Sequence, residues 1–189
     1  MTKRQAVIHG RKFAQVVEGA ALIFLRDGYA GASVDDIAEA SWVSKATLYS
    51  YFPQKQRMFE EAMRVRIAGL AGQCPLDVPE GATARQALPL LARQIVQWLT
   101  APANLRLQRL HIAEATRFPA QAKACHAMMA TVLHDPLRVL LEGWTAQGQL
   151  RVEDSALAAD QFIRLSGAGI HDAALMGVAL PPADEIARI

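Results

Sequence analysis

Apolar residues recur at helical spacing along almost the whole chain. The first stripe, at intervals of three and four residues, consists of Phe13, Val16, Ala20 and Phe24. It predicts a helix over about residues 10–27, ended by Gly28 as a C′ glycine. Nowhere do four or more residues alternate between apolar and polar as in a half-buried strand. We therefore predict an all-α fold.

Two short helices are predicted next, each with a serine at its start. Ser33 and Asp36 form a variant capping box that begins a helix over about residues 34–40. Ser44 caps a further helix over about residues 45–51. Two short helices joined by a turn of this length are typical of a helix-turn-helix, although spacing alone leaves a plain helical hairpin equally open.

A longer helix over about residues 54–69 follows, and then a linker at 74–82 that is rich in proline and glycine. We expect Pro89 and Pro136, which fall inside later helices, to kink or break them. The pattern after the linker predicts four helices, over 83–100, 103–116, 120–147 and 154–178.

The composition is that of an ordinary globular protein. With 189 residues, 52% hydrophobic and 20% charged, the chain is neither disordered nor fibrous. Its longest apolar runs are far shorter than the roughly 18 residues of a membrane span. Cys74 and Cys125 are 51 positions apart, without a C-x-x-C pair. We therefore expect a soluble cytoplasmic protein with no membrane partner.

The charge is distributed unevenly. Residues 1–66 carry ten Lys or Arg against seven Asp or Glu, a net charge of +3, whereas the remainder has a net charge of −1. A basic N-terminal part on a near-neutral body favours a nucleic-acid-binding head, although the difference is small. The hydroxyls and lysine of the helix after Ser44 suit phosphate contacts in a major groove.

Two sets of residues carry a resemblance to a known family. They are Ala20–Tyr29, Ser33–Ala38, Val43–Phe52 and Lys55 in the N-terminal part, and Leu110–Pro119 and Gly148–Asp154 in the body. The N-terminal set resembles TetR-type transcriptional regulators, and the body resembles the AefR-like class of that family.

The resemblance implies a bacterial, homodimeric repressor that binds a palindromic DNA operator and is released by a small apolar or amphipathic ligand. It implies a three-helix DNA-binding domain over residues 1–53 and a ligand-binding and dimerisation domain over 54–189, with 54–70 as the connecting helix. It implies no enzyme activity and no cofactor. Lys45 and Ala46 would face base edges, and the residues that hold the phosphate backbone would be Ser33, Ser44, Thr47, Tyr49, Tyr51 and Lys55.

Trp42 departs from the family pattern, which has glycine after the second helix. A left-handed residue other than glycine costs roughly 1–2 kcal/mol, so either the turn is reshaped or Trp42 stays there with strain. We expect the indole to pack over the first helix or to lie partly exposed, rather than to reach the DNA backbone.

Bulky apolar residues beyond the linker suit an apolar pocket, although an ordinary core needs the same residues. The candidate ligand contacts are Trp98, His111, Glu114, Met128, Trp144 and His171.

Gly169, Ala173 and Gly177 lie four positions apart, and small residues at that spacing let helices cross closely. We expect this face in a four-helix dimer interface, with close packing inside one chain as the other interpretation. The family's last helix is represented only by residues 183–189.

Other chemistry has little support in the sequence. The adjacent pairs Cys125-His126 and His134-Asp135 lack a second pair at a familiar metal spacing. No nucleophile elbow, phosphate loop or dinucleotide fingerprint is present. The alternative to a regulator is a helical small-molecule-binding protein that has lost specific DNA binding.

Overall fold

The computed structural model describes residues 3–71, 73 and 75–178, with side chains from residue 10 onward. Over these residues the chain forms α-helices and no strand, which confirms the all-α prediction. The helices are α1 (Lys3–Gly31), α2 (Val34–Ala40), α3 (Lys45–Tyr51), α4 (Lys55–Ala71), α5 (Ala84–Thr100), α6 (Pro102–Ala113), α7 (Pro119–Ala146), α8 (Ser155–Gly167) and α9 (Ile170–Leu175).

The chain divides into two compact units. Unit 1 comprises Met1–Gly69 and Leu110–Ala124, and unit 2 comprises Leu70–Arg109 and Cys125–Ile189. Helices α6 and α7 therefore each contribute residues to both units. The predicted boundary at residue 53 separates a DNA-binding domain from a ligand-binding and dimerisation domain. It is a division by function rather than by packing, and it stays a prediction.

Unit 1 buries the apolar stripe of α1. Val16, Ala20 and Phe24 are fully buried, and α1 packs against α2. The ring of Phe24 meets that of Phe59 edge to face at 5.1 Å, which ties α1 to α4. Gly28 has φ 73° and ψ 176°, so the regular part of α1 ends there, as predicted, and helical structure resumes to Gly31 after a kink.

Gly19, in the interior of α1, lies where the segment after α2 approaches α1 closely, and this approach requires a glycine. A Cβ atom at this position would lie 2.8 Å from the backbone nitrogen of Ser41 and 2.9 Å from its Cα. Real Cβ atoms do not come that close to backbone atoms. The glycine therefore lets the segment after α2 rest directly on α1, in spite of its poor helix propensity.

Unit 2 packs α5 against α8 and α9. Pro89 lies inside α5 and Pro136 inside α7, and both helices continue through them. The prolines therefore do not break the helices, and a kink at either one stays a prediction. Each proline removes one backbone hydrogen bond. The flanking apolar residues Leu91 and Leu137 are fully buried, and we infer that their packing holds the helices together.

The single helix predicted over 154–178 is wrong, because the structure has two. Gly169 has φ 75° and starts α9 in the left-handed region. Gly177, with φ 77°, lies beyond the end of α9. The predicted face of Gly169, Ala173 and Gly177 therefore does not exist on one continuous helix. The predicted helix at 183–189 lies outside the described residues.

The described helices include none that combines the length and the apolar character needed to cross a membrane.

Candidate nucleic-acid interface and cavity

The helix-turn-helix predicted from spacing is formed by α2, a turn at residues 41–44, and α3. Ile37 from α2 and Leu48 from α3 are both fully buried, and Ala38 is also buried. These buried side chains lie on two helices that pack against each other. They fix the position of α3 and leave its other side free.

Serine side chains cap both short helices, as predicted. The Asp36 carboxylate, however, accepts a hydrogen bond from Arg26 at 3.0 Å and does not complete the predicted capping box with Ser33. The Ser33 hydroxyl accepts a hydrogen bond from the Asp35 amide at 3.0 Å. The Ser44 hydroxyl accepts from the Thr47 amide at 3.1 Å and lies 2.9 Å from the Thr47 hydroxyl. Each cap satisfies one of the backbone N–H groups that a helix N-terminus leaves unpaired.

The side of α3 away from the core is polar and accessible. Ser44, Lys45, Ala46 and Tyr49 are exposed. The Lys45 ammonium forms an ion pair with Asp35, but exposed pairs of this kind contribute little and exchange easily. The first turn of α3 thus presents a hydroxyl, a cation and a methyl group to any partner in front of it.

Three other predicted DNA-contact residues are less accessible. Ser33, Thr47 and Tyr51 are half-buried. The Tyr51 ring contacts Phe13 edge to face, with centroids 5.8 Å apart, so the aromatic body of Tyr51 is held against α1.

Lys55 lies on an aromatic ring rather than in open solvent. Its Nζ is 4.9 Å from the centroid of the Tyr29 ring and donates to the Ala30 carbonyl at 3.4 Å. Arg117 also lies over this ring, at 5.0 Å. Burial, and then the charge of Arg117, lowers the pKa of Lys55. A contact between Lys55 and phosphate requires the side chain to leave this position.

Trp42 occupies the left-handed region with φ 54° and is 91% exposed. The turn is therefore not reshaped to avoid the strain. The interpretation that the indole packs over the first helix is wrong, because packing would cover the ring. The strained residue lies two positions before the cap of α3 and presents its ring to solvent.

Unit 2 contains a cavity of about 530 Å³, a volume typical of small-molecule sites. Helices α5 to α9 all contribute to its wall, together with the break at Gly169. One lining residue from each helix, in chain order, is Leu99, Gln108, Leu133, Ile163 and His171.

Polar side chains of the cavity wall form hydrogen bonds with one another. Nε2 of His171 lies 2.9 Å from Oε1 of Gln108, a residue 63 positions earlier. Burial lowers the pKa of His171, and the charge of Asp172 partly opposes this effect. Arg164 donates to Asp160 at 2.7 Å. The Arg164 guanidinium is thus already paired with a carboxylate.

Four of the predicted ligand contacts lie in unit 2, and only His171 lines its cavity. Met128 and Trp144 are buried, and Trp144 belongs to the apolar core. Trp98 is partly buried against the same core.

The remaining two predicted ligand contacts, His111 and Glu114, belong to unit 1. His111 is buried, and the Glu114 carboxylate lies 4.0 Å from Arg117. The six predicted contacts therefore do not line one cavity, and as ligand residues they stay predictions.

Sequence reasoning missed Gln108, although a signal was present. Asn104, Gln108 and His111 repeat at helical spacing along α6, and all three are buried. A stripe of polar residues on the buried side of a helix indicates a site that needs polar groups. The helix break at Gly169 was missed because the apolar pattern continues across it.

Unit 1 has a larger, open groove of about 780 Å³, with Phe13, Phe52 and Ile67 among its lining residues. Its charged groups are already paired. Arg57 lies 3.1 Å from Glu60, and Arg64 lies 2.7 Å from Glu61. The groove therefore offers less unpaired polar chemistry to a ligand than the cavity of unit 2 does.

The part of the chain that the structure describes brings together no group of three or more His, Cys, Asp or Glu that could hold a metal ion. Cys125 is buried, and burial raises the pKa of its thiol to about 11. A thiol in this state is not a reactive nucleophile at neutral pH.

Comparison with known proteins agrees with these features. The model of bacterial regulatory proteins of the tetR family matches residues 16–62, which include the helix-turn-helix. The model of the C-terminal domain of AefR-like transcriptional repressors matches residues 86–189, more than half of the chain.

Solved structures share the fold over nearly the whole chain. A TetR-family regulator from Mesorhizobium loti superposes with a TM-score of 0.79 at 24% identity, covering 100% of this chain and 93% of that one. The Flavonoid-responsive Regulator FrrA has a TM-score of 0.73 at 28% identity, covering 95% of this chain and 91% of that one.

A curated relative matches over a shorter stretch. The Fatty acid metabolism regulator protein of Bacillus subtilis is 25% identical over 96 residues, which is 51% of this chain and 50% of the relative. The match therefore spans only half of that relative's length. From the two family models and the shared fold, we conclude that the chain belongs to the TetR family of bacterial transcriptional regulators, with an AefR-like C-terminal domain.

Proposed function

We propose that the chain is a repressor that binds a palindromic operator as a homodimer and leaves it when a small ligand enters the cavity of unit 2. The observation that carries the DNA-binding part is the first turn of α3. It is capped by Ser44, held in place by the buried Leu48, and exposed along its polar side. A helix presented in this way fits the major groove of DNA.

The proposed roles follow from the type and exposure of each side chain. Lys45 and Ala46 are exposed at the start of α3 and face base edges, where Ala46 offers a methyl contact. The hydroxyls of Ser44 and Thr47, and the phenol of Tyr49, donate to phosphate oxygens.

Three residues complete the proposed contact with the phosphate backbone. Ser33 lies at the start of α2, Tyr51 at the end of α3, and Lys55 at the start of α4. Lys55 contributes least, because its ammonium already lies over the Tyr29 ring.

The proposed ligand site is the cavity of unit 2, with His171 as the predicted contact that lines it. By their names, one of the similar proteins is responsive to flavonoids and another is a regulator of fatty acid metabolism. The described wall favours an uncharged, mainly apolar ligand, because its arginine is paired with Asp160 and a second carboxylate, Asp172, is nearby. A ligand with several negative charges would meet no unpaired Lys or Arg among these residues.

Release of DNA by a ligand requires two states of the dimer with different ligand affinities. The ligand must bind the form with low DNA affinity more tightly than the form that fits the operator. A differential affinity of 100-fold corresponds to about 2.7 kcal/mol, which is within the ordinary range of allosteric coupling.

The test is fluorescence anisotropy with a labelled duplex from immediately upstream of the gene. The wild-type protein is compared with Lys45→Glu/Tyr49→Ala, which changes two exposed residues of α3, and with Arg151→Glu, an exposed charge reversal in unit 2. We expect the double variant to lose at least about 100-fold in affinity through its phosphate and base contacts. Arg151→Glu should bind as the wild type does.

Salt dependence reports how many phosphate contacts the protein makes. The affinity of the wild type should fall steeply with salt. In a plot of the logarithm of the association constant against the logarithm of the salt concentration, each phosphate contact should contribute about −0.9 to the slope. Equal and weak binding by all three proteins would contradict the proposed function. It would favour the helical small-molecule-binding protein that has lost specific DNA binding.

A further inference from the structure

Gln108 lines the cavity in unit 2, and the nitrogen of its side-chain amide is unpaired. The residue is only 7% exposed. Its Oε1 is bonded to His171 at 2.9 Å, whereas its Nε2 is buried and has no hydrogen-bond partner. Buried polar groups in proteins are nearly always paired. An unpaired donor beside a cavity therefore indicates a partner that enters the cavity.

The position of Gln108 is fixed from two sides. Its backbone is part of α6, and its side-chain oxygen is held by His171 from α9. Because His171 occupies the oxygen, the amide nitrogen is the atom left for a ligand, and the groups that cover it must move aside for the ligand to reach it. A group that is preorganised in this way loses little freedom when it binds.

The rest of the wall defines what surrounds the bound oxygen. Leu99, Met129, Leu133 and Ile163 supply apolar surface. The cation of Arg164 is bonded to Asp160 at 2.7 Å. The wall therefore suits an uncharged molecule with a large apolar part.

We propose that Gln108 anchors the ligand of this cavity, and that the ligand is an uncharged, mainly apolar compound whose carbonyl oxygen accepts a hydrogen bond from the Gln108 amide. This inference rests on the proposed function only in taking the cavity as the ligand site. It names the atom that selects the ligand and the chemical group that is selected.

Two probes of nearly equal shape test the selection. 2-Acetylnaphthalene carries a carbonyl group where 2-ethylnaphthalene carries a methylene group. Isothermal titration calorimetry with the full chain, in the absence of DNA, measures the affinity for each. A compound without an acceptor leaves the buried amide unpaired, so we expect the wild type to bind the ketone at least about tenfold more tightly.

Two substitutions at residue 108 distinguish the anchor from general packing. Gln108→Glu keeps the oxygen that bonds to His171 and replaces the donor by an acceptor, so it should abolish the preference for the ketone. Gln108→Leu removes both polar atoms and should bind the two probes equally. The matched control is Gln161→Glu, the same change at an exposed position of α8, which should keep the wild-type preference.

Thermal unfolding of the same proteins shows whether Gln108 is instead a structural residue. Gln108→Leu and His171→Leu both break the hydrogen bond between these two side chains, and the amide nitrogen of Gln108 has no further partner to lose. We therefore expect Gln108→Leu to lower the Tm by no more than His171→Leu does. A markedly larger loss of Tm in Gln108→Leu than in His171→Leu would contradict the anchor, because the amide nitrogen would then have a partner within the fold.

The proposal would be overturned by equal affinity of the wild type for the two probes, by no measurable binding of the ketone, or by a ketone preference that survives in Gln108→Glu. These results do not involve DNA. Failure of the ketone to release DNA, with its preference at Gln108 intact, would contradict only the proposed function.

Discussion

The helix-turn-helix and the cavity of unit 2 position their polar groups in opposite ways. In the helix-turn-helix, Ser33 and Ser44 bond to backbone amides two or three residues away. In the cavity, Gln108 bonds to a histidine 63 positions away, and five helices form the wall. The first arrangement depends on local backbone geometry, whereas the second exists only when distant helices pack correctly. Substitutions that shift helices should therefore affect the cavity more widely than the caps.

The largest expected effect tests a place where the helix-turn-helix depends on a distant residue. Gly19→Ala would place a Cβ within 2.9 Å of backbone atoms of Ser41, and overpacking of this kind costs about 1–3 kcal/mol. We expect a loss near the upper end, about 3 kcal/mol, because backbone rather than a flexible side chain must move. Urea unfolding measures it.

Gly10→Ala is the matched control in the same helix. A Cβ atom at Gly10 meets nothing within 4 Å, so alanine should stabilise the helix by about 0.5–1 kcal/mol. Destabilisation of similar size by both substitutions would show that steric contact at Ser41 is not the cause.

The second prediction concerns the turn that separates α8 from α9. Gly169 has φ 75°, and a Cβ atom there would meet nothing within 4 Å. Gly169→Ala should therefore cost about 1–2 kcal/mol through backbone strain alone. Gly143→Ala in α7, where a Cβ is also free, should not destabilise. An unchanged free energy of unfolding in Gly169→Ala would contradict the left-handed turn.

Trp42 provides the opposite experiment in the helix-turn-helix. It is a bulky residue with φ 54°, where glycine is unstrained. Trp42→Gly should raise the free energy of unfolding by about 0.5–1 kcal/mol, since relief of strain exceeds the added entropy of the unfolded chain. A loss of stability would mean that the exposed indole makes a favourable contact.

The smallest effect is a pH dependence that belongs to the cavity. Burial lowers the pKa of His171 from its ordinary value near 6.5, so the folded state prefers the neutral ring. The unfolded chain gains the proton first as pH falls below about 6.5. Stability from this residue should therefore be present above that pH and decrease as pH falls towards the folded-state pKa.

Urea unfolding between pH 7.5 and 5.5 compares the wild type with His171→Gln. The wild type should lose more stability than the variant on acidification. Equal losses would show that His171 does not contribute to the pH dependence.

Local signals explain what could be predicted about the fold. The caps at Ser33 and Ser44 and the helix end at Gly28 each depend on a few neighbouring residues, and the structure confirms them. Helix α5 continues through Pro89, where a kink or a break was predicted, and we infer that buried neighbours such as Leu91 compensate for one lost hydrogen bond. That compensation depends on tertiary packing, which no local pattern shows.

The cavity could not be predicted for the same reason. Bulk and polarity indicated Trp144 as a ligand contact, yet it is part of the apolar core. Gln108 has an ordinary polar side chain in the sequence. It becomes distinctive only when α9 brings His171 beside it and leaves its amide nitrogen without a partner.

The most direct test of the central claim is a hydroxyl-radical footprint on DNA fragments that the wild-type protein selects from its own genome, with Lys45→Glu/Tyr49→Ala selected in parallel. The account predicts two protected half-sites related by dyad symmetry, separated by about one helical turn or a multiple of it, and no such fragments for the double variant. Selection of the same fragments by both proteins, or of none by the wild type, would contradict a regulator that reads DNA through α3.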